Sequence, residues 1–367
     1  MKLEEADMKP YLQITLSLIL SSLIISVFSV LTKENQSEII KLSVDYVPGV
    51  GRVVSSVPLD TFPQSLHAGQ EAIWYWFEEC GCIVKLDPTN ATSSKLQIGN
   101  GKSGPYGNPK DLTLDTHIVW VTDAGNFSVV GFDRETQEII KEIPLSLVTQ
   151  EGTKRFRPFG LATDGKDLWV SDFDGNTVIR VDLETGKIIA EISNISHPAG
   201  IAISPEAIWV VEHRSGNIVR IDPATNTIVE KISINVQANP TWSPACGMCI
   251  NHVVVGQNAI WVPLNRGRGV AQIDPQTNKV KAIISINDMP VHQLAISENA
   301  IWAVGSSVGE DCELNPSGLV KIDPQTNTIV GTLPIPCAYS IAVYENKIWV
   351  GFGFPGAQGQ LIQIEPD

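Results

Sequence analysis

The sequence predicts a seven-bladed, all-β propeller, and three observations carry that reading. A short apolar run holding Trp recurs seven times, at Trp74, Trp120, Trp169, Trp209, Trp261, Trp302 and Trp349. The spacing is roughly 40–50 residues each time, the length of one four-stranded blade. Each Trp is followed by an acidic residue that closes a second apolar run: Asp87, Asp133, Asp182, Asp222, Asp274, Asp323 and Glu365. The offset is constant through the first five repeats, and insertions stretch the last two. Between the runs stand Gly, Pro, Asn and Asp, the residues that turn a meander.

The elements follow in order along the chain. No charge falls between Lys9 and Lys33, and residues 11–31 contain neither Gly nor Pro. At helical rise that run is long enough to cross a hydrocarbon core of about 30 Å. Residues 1–31 therefore read as an N-terminal apolar helix, a membrane anchor or a signal peptide, with 32–48 as a linker. The propeller occupies 49–367. The fourth repeat is the cleanest: strands at 200–203, 208–212, 217–222 and 227–234 alternate with the turns SPEA, HRSG and PATN. The seventh repeat stops after its third strand at Glu365, and residues 52–58 have the pattern of a fourth. The expectation is that this N-terminal strand completes the last blade and closes the ring.

Charge narrows the function classes. Forty Asp and Glu stand against 26 Lys and Arg, for a net charge of −14. Nucleic-acid affinity depends on neutralising phosphates with cations, so no nucleic-acid partner is expected. Anionic lipid surfaces are disfavoured for the same reason, and the membrane contact is expected through residues 11–31 alone. An apolar N-terminal segment places the propeller outside the cytoplasm.

A propeller carries its function on loops. The longest fall on one face, here called the top, at 100–108, 146–157, 235–250 and 305–318. Asn108, Arg157, His197, His252 and His292 are candidate ligand-binding residues around this face. Glu212 and His213, just past the second strand of the fourth repeat, are the acid–base candidates; the plain alternative is a solvated turn edge. The sequence DFDGN at 172–176 reads as a hairpin turn. The six histidines are scattered, with no HxH or HExxH spacing, and no metal site is legible.

The segments VSDFDGNTVIRVDLETGKIIAEI (170–192) and IWVVEHRSGNIVRIDPATNTIVEKI (208–232) resemble YVTN-type and streptogramin-lyase-like (virginiamycin B lyase-like) propeller repeats, over about residues 50–367. The resemblance implies the fold. It also implies, for a lyase, Mg²⁺ held by His and Glu on the top face, with Glu212 matching the acid that ends the family's Trp-containing strand. A second His–Glu pair has no matching motif.

All six cysteines map to the top face in the blade register. An even count in an exported protein points to disulfides. Cys312 with Cys337, Cys246 with Cys249 and Cys80 with Cys82 are the expected pairs, and a thiolate metal or redox site is the rival. The sequence thus points to an exported recognition module for a small molecule, glycan or protein, needing no cofactor. The alternatives are a Mg²⁺-dependent lyase or related small-molecule enzyme, and a metal or redox protein using the cysteines.

Overall fold

The computed structural model describes residues 42, 44–60, 62–69, 71–77, 80–99, 109–235, 250–286, 289–306, 317–353 and 358–367. Among them there is no helix. Seven antiparallel sheets follow one another, each a meander whose first strand lies nearest the axis. Blade one runs Ser65–Ala68, Ile73–Phe77, Cys82–Leu86, Ser93–Gln97. Blade four runs Pro198–Ser204, Ala207–Glu212, Asn217–Asp222, Thr227–Ser233. The other blades repeat this plan.

Gly51–Leu59 lies antiparallel to Gly359–Glu365, with Arg52 opposite Glu365 and Leu59 opposite Gly359. The sheet order is Tyr46–Val47, Gly51–Leu59, Gly359–Glu365, Lys347–Phe352, Ala338–Tyr344. Two segments far apart in sequence thus share one sheet. Gly51 is obligatory in this arrangement: its φ is +139°, and a Cβ there would meet the Glu365 carbonyl oxygen at 2.3 Å.

The recurrent Trp residues are the seams between blades. All seven are fully buried. Trp209 packs with Ile260, Val262, Ala271 and Ile273 of the following blade, and Trp261 with Leu294, Ile301, Ala303 and Val320 of the one after. Trp74, Trp120, Trp169 and Trp349 do the same around the ring. A ring this size fills the wedge between two twisted sheets and buries apolar area on both.

The acidic landmark has a separate cause. Asp222 Oδ1 accepts from Ala224 N at 2.8 Å, and Asn226 two residues on takes a left-handed φ of +57°. These bonds, the Ala224 N–H first, hold the Asp222 carboxyl below its ordinary value. Asp274 and Asp323 repeat the turn, with Asn278 and Asn327 at φ +57°. The turn is also a socket. Arg220, cross-strand from Trp209, lies over its ring and donates to Pro275 O at 3.0 Å and Asn278 Oδ1 at 2.8 Å in blade five. Arg180 reaches Pro223 O and Asn226 Oδ1 in the same way. In blade five Gln272 plays this part, donating to Pro324 O at 3.4 Å and accepting from Asn327 Nδ2 at 2.9 Å.

One expected top loop is more ordered than its composition suggests. Within 146–157, Ser146–Thr149 and Gly152–Arg155 pair as a two-stranded ribbon apart from the blades, with Val148 89% exposed at its outer end.

Candidate functional site

Every blade contributes to a cavity of about 460 Å³ on the ring axis. Its wall comes from the innermost strands and the residues just before them: Ser65 and His67, Asp111 and Thr113, Gly160 and Leu161, Gly200, Asn251 and His252, Val291 to Gln293, and Tyr339. The close approach of neighbouring inner strands explains two of the glycines. A Cβ on Gly160 would lie 2.2 Å from Ala199 O, and one on Gly200 would lie 2.3 Å from Asn251 O. Both follow a proline at a break in register, Pro158/Leu161 and Pro198/Ile201. There the strand bulges and turns its backbone to the axis.

The polar groups in the cavity are linked. Ser65 Oγ and His67 Nε2 share a hydrogen bond at 2.9 Å, and Asp111 Oδ1 lies 3.6 Å from the same nitrogen. Asp111 is held from both sides by backbone: Leu112 N donates to Oδ1 at 2.9 Å and Leu161 N, in blade three, to Oδ2 at 3.0 Å. Gln293 accepts from Ile341 N at 3.0 Å and donates to Leu66 O at 3.3 Å, tying blades six, seven and one. Leu294 N donates to His252 Nδ1 at 3.4 Å, which leaves the His252 proton on Nε2. His292 is fully committed: Nε2 donates to Ser306 O at 2.7 Å, and Nδ1 accepts from Asn265 at 2.9 Å. Its ring stacks on Tyr339 at 4.6 Å.

Burial governs the protonation states. It pushes His67 down to about 3, helped by His252, and both His252 and His292 down to about 4. It pushes the Asp111 carboxyl up to about 7, against the two backbone N–H donors. The cavity therefore holds three neutral imidazoles and a carboxyl poised near neutrality.

The sequence reading had the histidines scattered, and the structure corrects this. His67, His252 and His292, from blades one, five and six, line one cavity. Asp111 was missed altogether. Their only sequence signal is position: each lies in or beside an innermost strand.

The other candidates sit elsewhere. Glu212 is 2% exposed and is no solvated edge. Its carboxylate accepts from Lys231 Nζ at 2.8 Å, Ser196 N at 3.0 Å, Ser215 Oγ at 2.9 Å and Asn217 Nδ2 at 2.9 Å. Burial raises its carboxyl, and these donors, Lys231 foremost, more than reverse that. His213 donates from Nδ1 to Ile250 O at 3.0 Å and meets Phe173 edge-on. Burial lowers it. His197, at φ +46°, also meets Phe173 edge-on. Arg157 pairs with Asp174 at 3.2 Å and covers the Phe127 ring. None of these three lines the axial cavity. Asp172 accepts from Gly175 N at 3.0 Å in the DFDGN turn. Asn108, Cys246, Cys249 and Cys312 lie outside the described residues. Cys80 and Cys82 meet across a tight turn with Cα atoms 5.3 Å apart, and Cys337 is buried just before the inner strand of blade seven.

Among the described residues no group of three His, Cys, Asp or Glu is placed to hold a metal ion. Glu212, with its oxygens already taken by four donors, does not fit a Mg²⁺ ligand.

No protein-family model and no curated relative matches the chain. Among solved structures, virginiamycin B lyase from Staphylococcus aureus is similar at 17% identity, over 84% of this chain and 98% of that one, with a TM-score of 0.64. A streptogramin B lyase gives 15% identity, 84% and 97% coverage, and a TM-score of 0.65. The hydrazine synthase of Kuenenia stuttgartiensis gives 18%, 70%, 77% and 0.55. At such identities the likeness is one of fold alone, a seven-bladed propeller.

Proposed function

We propose that this chain is a recognition propeller that binds a small molecule in its axial cavity. One observation carries the reading. Seven blades converge on a polar-lined hollow of about 460 Å³, within the range of small-ligand sites and built from titratable groups shifted by burial. A closed ring is stable without such groups, and burying them unpaired costs free energy. Their networked retention supports a ligand role.

The module is displayed outside the cytoplasm in this reading, held by residues 11–31 and closed into a ring by Gly51–Leu59. The uncharged N-terminal run supports the first part, and the pairing with Gly359–Glu365 the second. The cysteines belong to the same proposal, as bridges that pin the top loops. A Mg²⁺-dependent lyase is the second reading. The fold likeness favours it, and the engagement of Glu212 counts against the residues expected to carry it.

A fragment screen by ligand-observed NMR tests the proposal on the propeller without residues 1–41. Hits are expected to bind the wild type and to lose binding in His252→Phe and in Asn251→Trp, two independent ways of filling the cavity. Hits indifferent to both variants, or no hits at all, would overturn it.

A further inference from the structure

We infer that the ligand of the axial cavity is an uncharged carbohydrate, a monosaccharide or disaccharide; this rests on the reading of the cavity as a ligand site.

The first argument is charge. Among the described residues no Arg lines the cavity, and Lys110 and Asp111, adjacent in sequence, are the only described lining residues with charged side chains besides the imidazoles. The imidazoles are neutral because burial holds them there. An anion would face Asp111 with a single Lys to offset it, and phosphate or carboxylate sites are ordinarily built with bidentate Arg or several N–H groups. A cation would find one carboxyl, whose two oxygens already accept backbone N–H groups.

The second argument is hydrogen-bond parity. The bond from Leu294 N to His252 Nδ1 leaves Nε2–H as a donor. Asp111, an acceptor that donates when protonated, and the Ser65 hydroxyl, which does both, line the same cavity. A hydroxyl both donates and accepts, so a polyol satisfies such a lining in every protonation state. A rigid donor-only or acceptor-only ligand leaves a buried group unpaired, at a cost.

The third argument is shape. Tyr339, Trp76 and Phe159 supply aromatic wall beside these polar groups. Sugars present apolar C–H faces alternating with hydroxyl edges, and that pairing of wall and edge matches this lining. The hydrogen bonds of Gln293 and of the His292–Asn265 pair within that wall set its geometry before a ligand arrives.

A charge series on one sugar skeleton tests the inference. The probes are glucose, N-acetylglucosamine, maltose, glucosamine and glucuronate, titrated calorimetrically into the full propeller. A neutral member is expected to bind with a Kd below about 1 mM, at least tenfold tighter than glucosamine and glucuronate, and to be lost in His252→Phe and Asn251→Trp. Equal or tighter binding of the amine or the acid overturns the class. So does failure of all five probes while fragments still compete for the cavity, a result that leaves the proposed ligand site standing. Loss of both removes the site and the inference together.

Discussion

Asp111 and the channel histidines act on stability in opposite directions. Burial raises the Asp111 carboxyl from 3.8 to about 7. Between those values the folded chain holds a proton that the unfolded chain has released, so folding is penalised progressively as pH rises from about 4 to about 7. The histidines, lowered from 6.5 to about 3 or 4, do the reverse. Their unfolded forms bind protons that the folded ones refuse, so stability is lost as pH falls below 6.5. Three groups outweigh one, and acidification from pH 6.5 towards 4 is expected to destabilise the ring. Asp111→Asn keeps an acceptor for Leu161 N and removes the ionisation penalty. It should add about 1–3 kcal/mol at pH 8, less than the full shift implies because about a quarter of the side chain stays accessible. The gain should vanish near pH 4. Urea unfolding at both pH values decides this; an equal change at both means that burial does not raise the Asp111 carboxyl. None of this was legible in the sequence, where Asp111 is one acid among many in a chain of net charge −14.

At the scale of the element, the repeat is a mechanical unit whose parts have distinct tasks. The Trp fills the seam, the cation cross-strand from it reaches forward, and the Asp-capped turn of the next blade receives it. The Trp and the Asp were legible from spacing; the polar residue cross-strand from the Trp was not, because Arg180, Arg220, Gln272 and Lys321 look like ordinary strand residues. Arg220→Ala is expected to cost about 2 kcal/mol through the loss of two charged hydrogen bonds and a cation–ring contact, partly offset by exposure. Arg220→Gln should recover part of that, since Gln272 already makes this connection in blade five. Identical losses in both variants, measured by urea unfolding, would sink the latch. Trp209→Ala should cost more, about 3–5 kcal/mol, by leaving a cavity in the seam. A loss of a few tenths would show that the seam carries little.

For the whole molecule, the contact to test is the pairing of Gly51–Leu59 with Gly359–Glu365. Gly51–Leu59 covers the edge of Gly359–Glu365 and buries Val50 and Leu59. A propeller lacking residues 1–60, compared with one lacking 1–41, is expected to melt roughly 10 °C or more lower, with the whole ring losing cooperativity. The exposed strand edge should also promote self-association. Unchanged melting would mean that the strand is an accessory.

What the amino-acid sequence determined alone was everything that repeats. Trp, Asp and turn residues recur because each blade solves the same packing problem, and a periodic solution is visible without knowing how the blades meet. The site does not repeat. His67, Asp111, His252, and His292 with Gln293 come from four different blades, and only the folded ring brings them within reach of one cavity. Their burial, and hence their protonation, exists only once the inner strands surround the axis. Glu212 shows the converse. Beside His213 in sequence it had the look of a catalytic acid, until folding placed Lys231 and three other donors on its carboxylate. Spacing along a chain records what neighbours in a strand must be, whereas the convergence of distant strands on an axis is a property of the closed ring.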